Sequence, residues 1–155
     1  MPKRLDCSEL VGRIAKMVRE RVTSAPVIEF SQLREVNKAR PPVLWLIEDD
    51  ESIRRALIRI FEAENYRVFA ASGATEIDLV LNSSAPDIIL LDVGLPWING
   101  YELAELMKSH SDLKRVPIVF ISGHDEPTAI KRGFSVGAHD FIVKPCKGPI
   151  RVLIF

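Results

Sequence analysis

The chain has 155 residues, of which 47% are hydrophobic and 27% charged, and this composition fits a single soluble globular domain. Its formal net charge is zero, which argues against a broad nucleic-acid-binding surface. No apolar run approaches the ~18 residues that span a bilayer, and the N-terminus lacks the apolar core and small-residue cleavage site of a secretory signal. We therefore expect a cytoplasmic protein without nucleic-acid or membrane partners, and two free thiols at Cys7 and Cys146.

The first 40 residues differ in charge from the remainder of the chain. They hold nine Lys and Arg against five Asp and Glu, whereas residues 41–155 hold twelve against sixteen. Apolar residues recur at helical spacing over residues 6–22, which predicts an amphipathic helix. Its apolar stripe consists of Leu10, Val11, Ile14, Met17, Val18 and Val22. A second short helix is predicted over residues 31–39, so residues 1–40 are expected to form a basic helical extension.

Apolar runs alternate with amphipathic stretches from residue 43 onward. The runs predict buried strands over residues 43–48, 66–71, 87–92, 116–122 and 140–144. The stretches between them predict helices over residues 52–64, 74–82, 100–110 and 127–136. Strands that alternate with helices are typical of α/β folds with helices on both faces of a parallel sheet. We therefore expect a doubly wound, five-stranded parallel sheet.

Polar side chains stand at the ends of four of these predicted strands. Glu48 and Asp49 follow the first strand, Asp92 ends the third, Ser122 ends the fourth and Lys144 ends the fifth. The carboxyl ends of parallel strands meet at one edge of a sheet, where ligands bind. Crowded carboxylates repel one another, and carboxylate oxygens suit Mg²⁺. An ammonium and a hydroxyl group beside them suit a phosphoryl group.

The motifs around these residues resemble the receiver domain of two-component response regulators. The acidic turn is "LIEDDESIRRAL", and the phosphoacceptor strand with its loop is "IILLDVGLPWINGYEL". The hydroxyl and lysine segments are "VFISGHDE" and "FIVKP". These motifs occur in the family's order over about residues 43–147. The resemblance implies a flavodoxin-like receiver fold over residues 41–155, present as a stand-alone receiver.

The resemblance also implies a phosphoacceptor and a metal site. Asp92 would be the nucleophile that becomes an aspartyl phosphate. A divalent cation, Mg²⁺ as cofactor, would offset the repulsion between the two approaching anions. Its ligands would be Asp49, Glu48 and Asp92, together with the backbone carbonyl of Gly94. The resemblance favours Asp49 over Glu48 as a direct ligand, because the second acid is the more regular direct ligand in the family.

Further roles follow from the same resemblance. Lys144 and the hydroxyl group of Ser122 would contact phosphoryl oxygens. On phosphorylation Ser122 would move inward, and the switch aromatic Phe141 would then turn inward to fill the space. Gly94 and His124 would influence the lifetime of the phosphoryl group, and His124 is expected to make hydrolysis pH-dependent near neutrality.

The implied partner is a sensor histidine kinase or a histidine phosphotransfer protein. The protein would act as a phosphorylation-dependent signalling switch rather than as an enzyme, with at most autocatalytic phosphorylation and dephosphorylation. Three alternative functions involve related residues or the same fold. A haloacid-dehalogenase-type phosphohydrolase needs a second acid where Gly94 stands, and a nucleotide-binding or flavin-binding module needs a glycine-rich first turn rather than an acidic one. A non-phosphorylated interaction module is the remaining alternative.

The C-terminal segment departs from the family pattern. Receiver domains continue after the Lys-Pro pair with a long amphipathic helix, whereas this chain reads "KPCKGPIRVLIF", in which Gly148 and Pro149 disfavour a helix. A missing helix would uncover about five apolar side chains, at a cost of ~8–15 kcal/mol. We hypothesise that residues 6–22 replace it, within one chain or in a swapped homodimer. Alternatively, the apolar C-terminal segment covers the surface and the basic arm binds a partner.

Overall fold

The structure is a computed structural model that describes residues 7–22, 40–123 and 127–144, with the side chains of residues 11–18 described in the first range. In this part of the chain five helices and five strands are present. The helices are α1 (Cys7–Val22), α2 (Glu51–Ala63), α3 (Ala74–Leu81), α4 (Gly100–Ser109) and α5 (Pro127–Ser135). The strands are β1 (Val43–Ile47), β2 (Arg67–Ala71), β3 (Ile88–Asp92), β4 (Ile118–Ser122) and β5 (Asp140–Val143). The predicted helix over residues 31–39 lies outside the described residues.

The five strands form one parallel sheet in the order β2-β1-β3-β4-β5. This order confirms the predicted doubly wound, flavodoxin-like sheet. The chain runs from β1 to β2 on one side and then crosses to β3 on the other, so the strand order reverses between β1 and β3. In such sheets the crevice at this reversal is where ligands bind. Here β1 and β3 are the two strands whose carboxyl ends carry the acids.

Each face of the sheet has its own hydrophobic core, because successive strand side chains point to opposite faces. One core joins Trp45, Leu91 and Phe120 of the strands to α3, α4 and α5. The second core lies on the opposite face and joins residues of β1, β3, β4 and β5 to α2 and α1. Four strands, β1, β3, β4 and β5, are buried along their whole length, as expected for a sheet covered on both faces.

Helix α1 lies against α2 and β3 on the second face. Val11, Ile14 and Val18 from its predicted stripe are buried in the core there, and Met17 packs at its margin. The Arg13 guanidinium forms an ion pair with the Asp140 carboxylate at the start of β5. The side chains of the other two stripe residues lie outside the described ones. None of the described helices is long and apolar enough to cross a membrane.

The acidic residues that follow β1 divide into two groups. Asp50 caps α2, since its Oδ1 accepts a hydrogen bond from the Ile53 N–H at 3.0 Å. Asp50 and Glu51 are exposed, as the sequence predicts for acids at a helix start. Glu48 is buried, and its N–H donates to the carbonyl of Ala71 at 3.1 Å, which extends the pairing of β1 with β2 by one residue. Asp50 and Glu51 therefore stabilise the start of α2, whereas Glu48 faces inward.

Truncation of Ile14 should test the packing of α1. This side chain is fully buried, so Ile14→Ala should lower the free energy of unfolding by about 2–5 kcal/mol through lost burial and a residual cavity. Lys16→Ala, on the exposed side of the same helix, should change it by less than about 0.5 kcal/mol. Urea denaturation of both variants provides the measurement. Equal midpoints for the two variants would contradict the packing of α1 on the sheet.

Candidate functional site

Three carboxylates meet at the carboxyl ends of β1 and β3. Glu48 and Asp49 directly follow β1, and Asp92 is the last residue of β3. The two strands are hydrogen-bonded neighbours, and one oxygen from each of the three carboxylates lies within 4.8 Å of the others. Glu48 and Asp92 are buried, whereas Asp49 is exposed. The structure therefore brings the three predicted acids together, with one of them open to solvent.

The side chain of Lys144 places an ammonium group among these acids. Its Nζ lies 3.0 Å from Glu48 Oε2 and 3.3 Å from Asp92 Oδ2. Lys144 directly follows β5, two strands away from β3, so its long side chain has to cross the end of β4. The backbone N–H of Lys144 donates to the carbonyl of Ser122 at 2.6 Å, which anchors the residue to the end of β4. The ammonium therefore lies within ion-pair distance of both buried carboxyl groups.

Burial dominates the electrostatics of Glu48. Loss of solvation, reinforced by the nearby Asp92 carboxylate, raises the pKa of Glu48 from its ordinary value of 4.5 to about 8. The Lys144 ammonium and a hydrogen bond from the Asp50 N–H to Glu48 Oε1, 3.1 Å long, act in the opposite direction. In the absence of a metal ion, Glu48 therefore retains a proton near neutral pH.

The charge state of Lys144 reflects the same cluster. Burial by itself would lower the pKa of the ammonium, but the carboxylates of Glu48 and Asp92 outweigh this effect and raise the pKa. The lysine therefore stays positively charged across the physiological range. A fixed positive charge beside two carboxylates is suited to an incoming dianionic group.

The loop after β3 fixes the orientation of the Asp92 carboxylate. The Gly94 N–H donates to Asp92 Oδ1 at 3.0 Å, while Oδ2 faces Lys144. Gly94 is exposed, and a Cβ placed there would make an ordinary van der Waals contact with Oδ1, 3.9 Å away. The predicted role of the Gly94 carbonyl as a metal ligand stays a prediction.

The predicted switch residues lie next to this cluster, or outside the described part of the chain. Ser122 is buried at the end of β4 and pairs in register with Val143. The role of its hydroxyl group stays a prediction. Phe141 is buried beside the Phe120 ring, with 6.2 Å between the centroids. The predicted inward turn of Phe141 would therefore start from a ring that is already packed inside. His124 lies outside the described residues.

Gly133 of α5 makes room for this inward ring. A Cβ at Gly133 would lie 2.7 Å from Cδ2 of Phe141 and 3.2 Å from Cδ2 of Phe120. These distances are shorter than ordinary van der Waals contacts, so a larger residue would force the rings apart. The glycine is needed because the helix packs directly on both rings.

Two residues that position the site were not singled out for this role from the sequence. A Cβ at Gly100, the first residue of α4, would lie 2.4 Å from the carbonyl oxygen of Asp92, so only glycine lets the helix begin against the end of β3. The Asn99-Gly100 pair at a helix start was the available signal, since the Asn99 side chain caps α4 through the Tyr101 N–H. Arg54 donates hydrogen bonds from Nη1 to the carbonyls of Glu48 and Asp49.

The strand order, the acidic cluster at the β1/β3 crevice and the lysine after β5 together define a receiver-type signalling domain. The chain matches the response regulator receiver domain over residues 44–151. It belongs to this family, and it is a receiver module of two-component signal transduction, whose members act as switches through phosphorylation. The predicted family and fold are confirmed, and the match agrees closely with the predicted limits of 43–147.

Curated relatives of the chain include plant and bacterial response regulators. It is 37% identical over 114 residues to the two-component response regulator ORR11 of Oryza sativa subsp. indica, covering 72% of this chain and 77% of that protein. It is 32% identical over 108 residues to protein RcaC of Microchaete diplosiphon, covering 70% of this chain and 17% of that protein. It is 31% identical to the phosphate regulon transcriptional regulatory protein PhoB of Rhizobium meliloti and spans 48% of it. The chain thus spans only part of the longer relatives.

Solved structures share the same fold. One is the signal receiver domain of a signal transduction histidine kinase from Syntrophus aciditrophicus, with a TM-score of 0.60 and 28% identity, covering 73% of this chain and 89% of that chain. Another is the chemotaxis protein CheY4 of Vibrio cholerae, with a TM-score of 0.63 and 24% identity, covering 72% of this chain and 93% of that chain. The second likeness shows the fold alone.

Replacing Glu48 by Gln should change how stability depends on pH. Between the unfolded pKa of 4.5 and the folded pKa of about 8, the folded protein keeps a proton that the unfolded chain has released. The free energy of unfolding of the metal-free wild type therefore decreases as pH rises through this window, because deprotonation favours the unfolded chain. Gln cannot ionise, so Glu48→Gln should gain stability relative to wild type from about pH 5 to about pH 8 and then level off.

Urea denaturation at several pH values, in the presence of a chelator, provides the measurement. Glu51→Gln is a matched control, because the Glu51 carboxylate is exposed and pairs with Arg55 at the surface. A stability difference between Glu48→Gln and wild type that stays constant with pH would contradict the raised pKa of Glu48.

Proposed function

We propose that Asp92 accepts a phosphoryl group from a histidine residue of a sensor histidine kinase or a histidine phosphotransfer protein, in a Mg²⁺-dependent reaction. The observation that carries this proposal is the meeting of three carboxylates from the ends of β1 and β3 with the Lys144 ammonium. The carboxylates can hold a cation, and the ammonium can meet a phosphoryl oxygen. Membership of the receiver family supports the same reading.

The side chain of Asp92 would act as the nucleophile. One carboxylate oxygen attacks phosphorus, the bond from phosphorus to the donor histidine nitrogen breaks, and the leaving imidazole takes up a proton. The Gly94 N–H holds Oδ1 at 3.0 Å, so the carboxylate keeps a single orientation during the approach of the donor. Holding the nucleophile in this way reduces the entropic cost of reaching the transition state.

The acidic residues fit a divalent cation. The donor set consists of carboxylate oxygens, which suit Mg²⁺, and Asp49 is open to the water molecules that this ion retains. Glu48 Oε2 forms an ion pair with Lys144 but accepts no hydrogen bond from the described residues, so a lone pair is available. Glu48, Asp49 and Asp92 would hold the ion, together with the Gly94 carbonyl. When bound, it offsets negative charge in phosphoryl transfer.

Lys144 and Ser122 would contact the phosphoryl group once it is bound to Asp92. The ammonium already lies 3.3 Å from Asp92 Oδ2, so a phosphoryl group on Asp92 would form within its reach. Ser122 is buried at the neighbouring strand end, where its hydroxyl group would donate to a second phosphoryl oxygen. In this proposal the chain is itself the substrate, and it turns over no separate compound.

Helix α1 would take the structural place of the family's final helix. It supplies Val11, Ile14 and Val18 to the core on the second face of the sheet, beside α2. Its Arg13 also pairs with Asp140 at the start of β5, the strand after which the family's final helix would follow.

Deletion of residues 1–40 should test this replacement. The three core side chains of α1 would be lost, at a cost of roughly 5–9 kcal/mol, which is comparable to the stability of a whole domain. We expect the melting temperature to fall steeply or the domain to unfold. Thermal melting followed by circular dichroism provides the measurement, and unchanged melting of the deletion variant would remove the proposal.

Phosphorylation itself can be tested by intact-mass spectrometry after incubation with a small phosphodonor and Mg²⁺. The wild type should gain the mass of one phosphoryl group, and a chelator should prevent this gain. Asp92→Asn removes the nucleophile and should gain nothing. Asp50→Asn is a matched control that should behave as wild type, because Asp50 is exposed and asparagine caps a helix equally well.

Two outcomes would count against the proposed reaction. A phosphoryl adduct on Asp92→Asn would place the acceptor elsewhere. A folded wild-type protein that gains no adduct would favour an interaction module that works without phosphorylation.

A further inference from the structure

The backbone of the acidic turn after β1 is held by one side chain. Arg54, half-buried in the first turn of α2, donates from Nη1 to the carbonyl oxygen of Glu48 at 3.1 Å and to that of Asp49 at 3.2 Å. The two residues whose carbonyls it binds carry two of the three clustered carboxylates. Arg54 therefore contacts the backbone that carries these carboxylates.

The remaining contacts of this turn also tie its backbone to the surrounding structure. The Glu48 N–H donates to the Ala71 carbonyl, and the Asp50 N–H donates to Glu48 Oε1 at 3.1 Å. The Arg54 N–H donates to the Asp50 carbonyl at 2.9 Å, which begins the hydrogen bonding of α2. Asp49 is exposed, and Arg54 binds its carbonyl. The direction of the Asp49 carboxylate therefore depends on a backbone that Arg54 holds.

The guanidinium of Arg54 also faces the connection that follows β2. There Glu76 accepts hydrogen bonds from the Ser72 hydroxyl at 2.7 Å and from the Ser72 N–H at 3.0 Å. These bonds lower the pKa of the Glu76 carboxyl, and the positive charge of Arg54 contributes further. Arg54 thus lies near a second carboxylate while it binds the two carbonyl oxygens of the turn.

We propose that Arg54 is a positioning residue for the cation site. It holds the turn so that the carboxylates of Glu48 and Asp49 converge with Asp92 before a cation arrives. This inference rests on the proposed Mg²⁺-dependent function. Arg54 acts through backbone carbonyls and does not itself bind the ion. A guanidinium suits this task, because the two N–H groups of Nη1 lie in a fixed plane and can each serve one carbonyl.

The sign of the effect separates positioning from simple electrostatics. A positive charge near a cation site disfavours the cation, so removing that charge should strengthen Mg²⁺ binding if charge alone mattered. If Arg54 positions the turn, its removal should weaken binding instead. Outer contacts that orient metal ligands typically contribute about 10- to 100-fold in metal affinity.

The adjacent Arg55 offers a matched control. It is on the same helix and carries the same charge, but its side chain is 70% exposed and pairs with Glu51 at the surface, 2.6 Å away. Arg55→Gln removes one positive charge without touching the acidic turn. Arg54→Gln removes the charge together with the two hydrogen bonds, and Arg54→Lys keeps the charge but loses the fixed planar direction of the donors.

The test is calorimetric titration of Mg²⁺ into the metal-free full chain and these three variants. We expect Arg54→Gln to bind about 10-fold more weakly than wild type, Arg54→Lys to lie between them, and Arg55→Gln to bind as wild type or slightly more tightly. Urea denaturation identifies any variant that is unfolded at the titration temperature. Arg54→Gln binding as tightly as Arg55→Gln would overturn the proposal, even if the former were less stable.

Amide hydrogen exchange in the metal-free proteins provides a second readout that does not depend on Mg²⁺. If Arg54 holds the turn, the Asp50 amide should exchange faster in Arg54→Gln than in Arg55→Gln, because its acceptor Glu48 is no longer anchored. Equal exchange rates would overturn the positioning role. A wild type that binds no Mg²⁺ would instead overturn the proposed metal-dependent function, while the exchange rates would still decide whether Arg54 holds the turn.

Discussion

The arrangement of the site depends on one half-buried ammonium group, Lys144, placed between two buried carboxyl groups. Glu48 and Asp92 end neighbouring strands, where both are removed from water, and such a pair is costly without a compensating charge. The Lys144 ammonium supplies this charge from the end of β5 at 3.0 and 3.3 Å. A bound cation or a phosphoryl group would change this balance. Binding of a cation or a phosphoryl group at this cluster would therefore change the contacts between Lys144 and the two carboxyl groups.

Burial of both faces of the sheet is a second constraint, and the N-terminal helix α1 covers part of one face. Strands buried on both faces need helices on both faces. On one face this cover consists of α3, α4 and α5, and on the other of α2 and α1. Because α1 precedes β1 in the chain, part of the second face is covered by a segment that comes before the whole sheet in sequence.

The glycines and the arginine around the site show how its geometry is supported. Gly100 allows α4 to begin against the Asp92 carbonyl, and Gly133 allows α5 to pack on Phe141. Arg54 binds the backbone from which Glu48 and Asp49 project. These residues touch the main chain or the packing behind the reactive groups. They illustrate that the orientation of a few carboxylates depends on contacts around them as much as on the carboxylates themselves.

The sequence by itself determined the strands, the helices and the acids at the strand ends, because hydrophobic periodicity and helix caps are local signals. Boundaries such as Val43–Ile47 and Ile88–Asp92 differ from prediction by a single residue at one end. Only the tertiary structure decided which side chains meet. The strand order brings Lys144 to Glu48, 96 residues away, and the packing selects the face that α1 covers. Such contacts join distant parts of the chain, and local sequence patterns do not indicate which distant residues will meet.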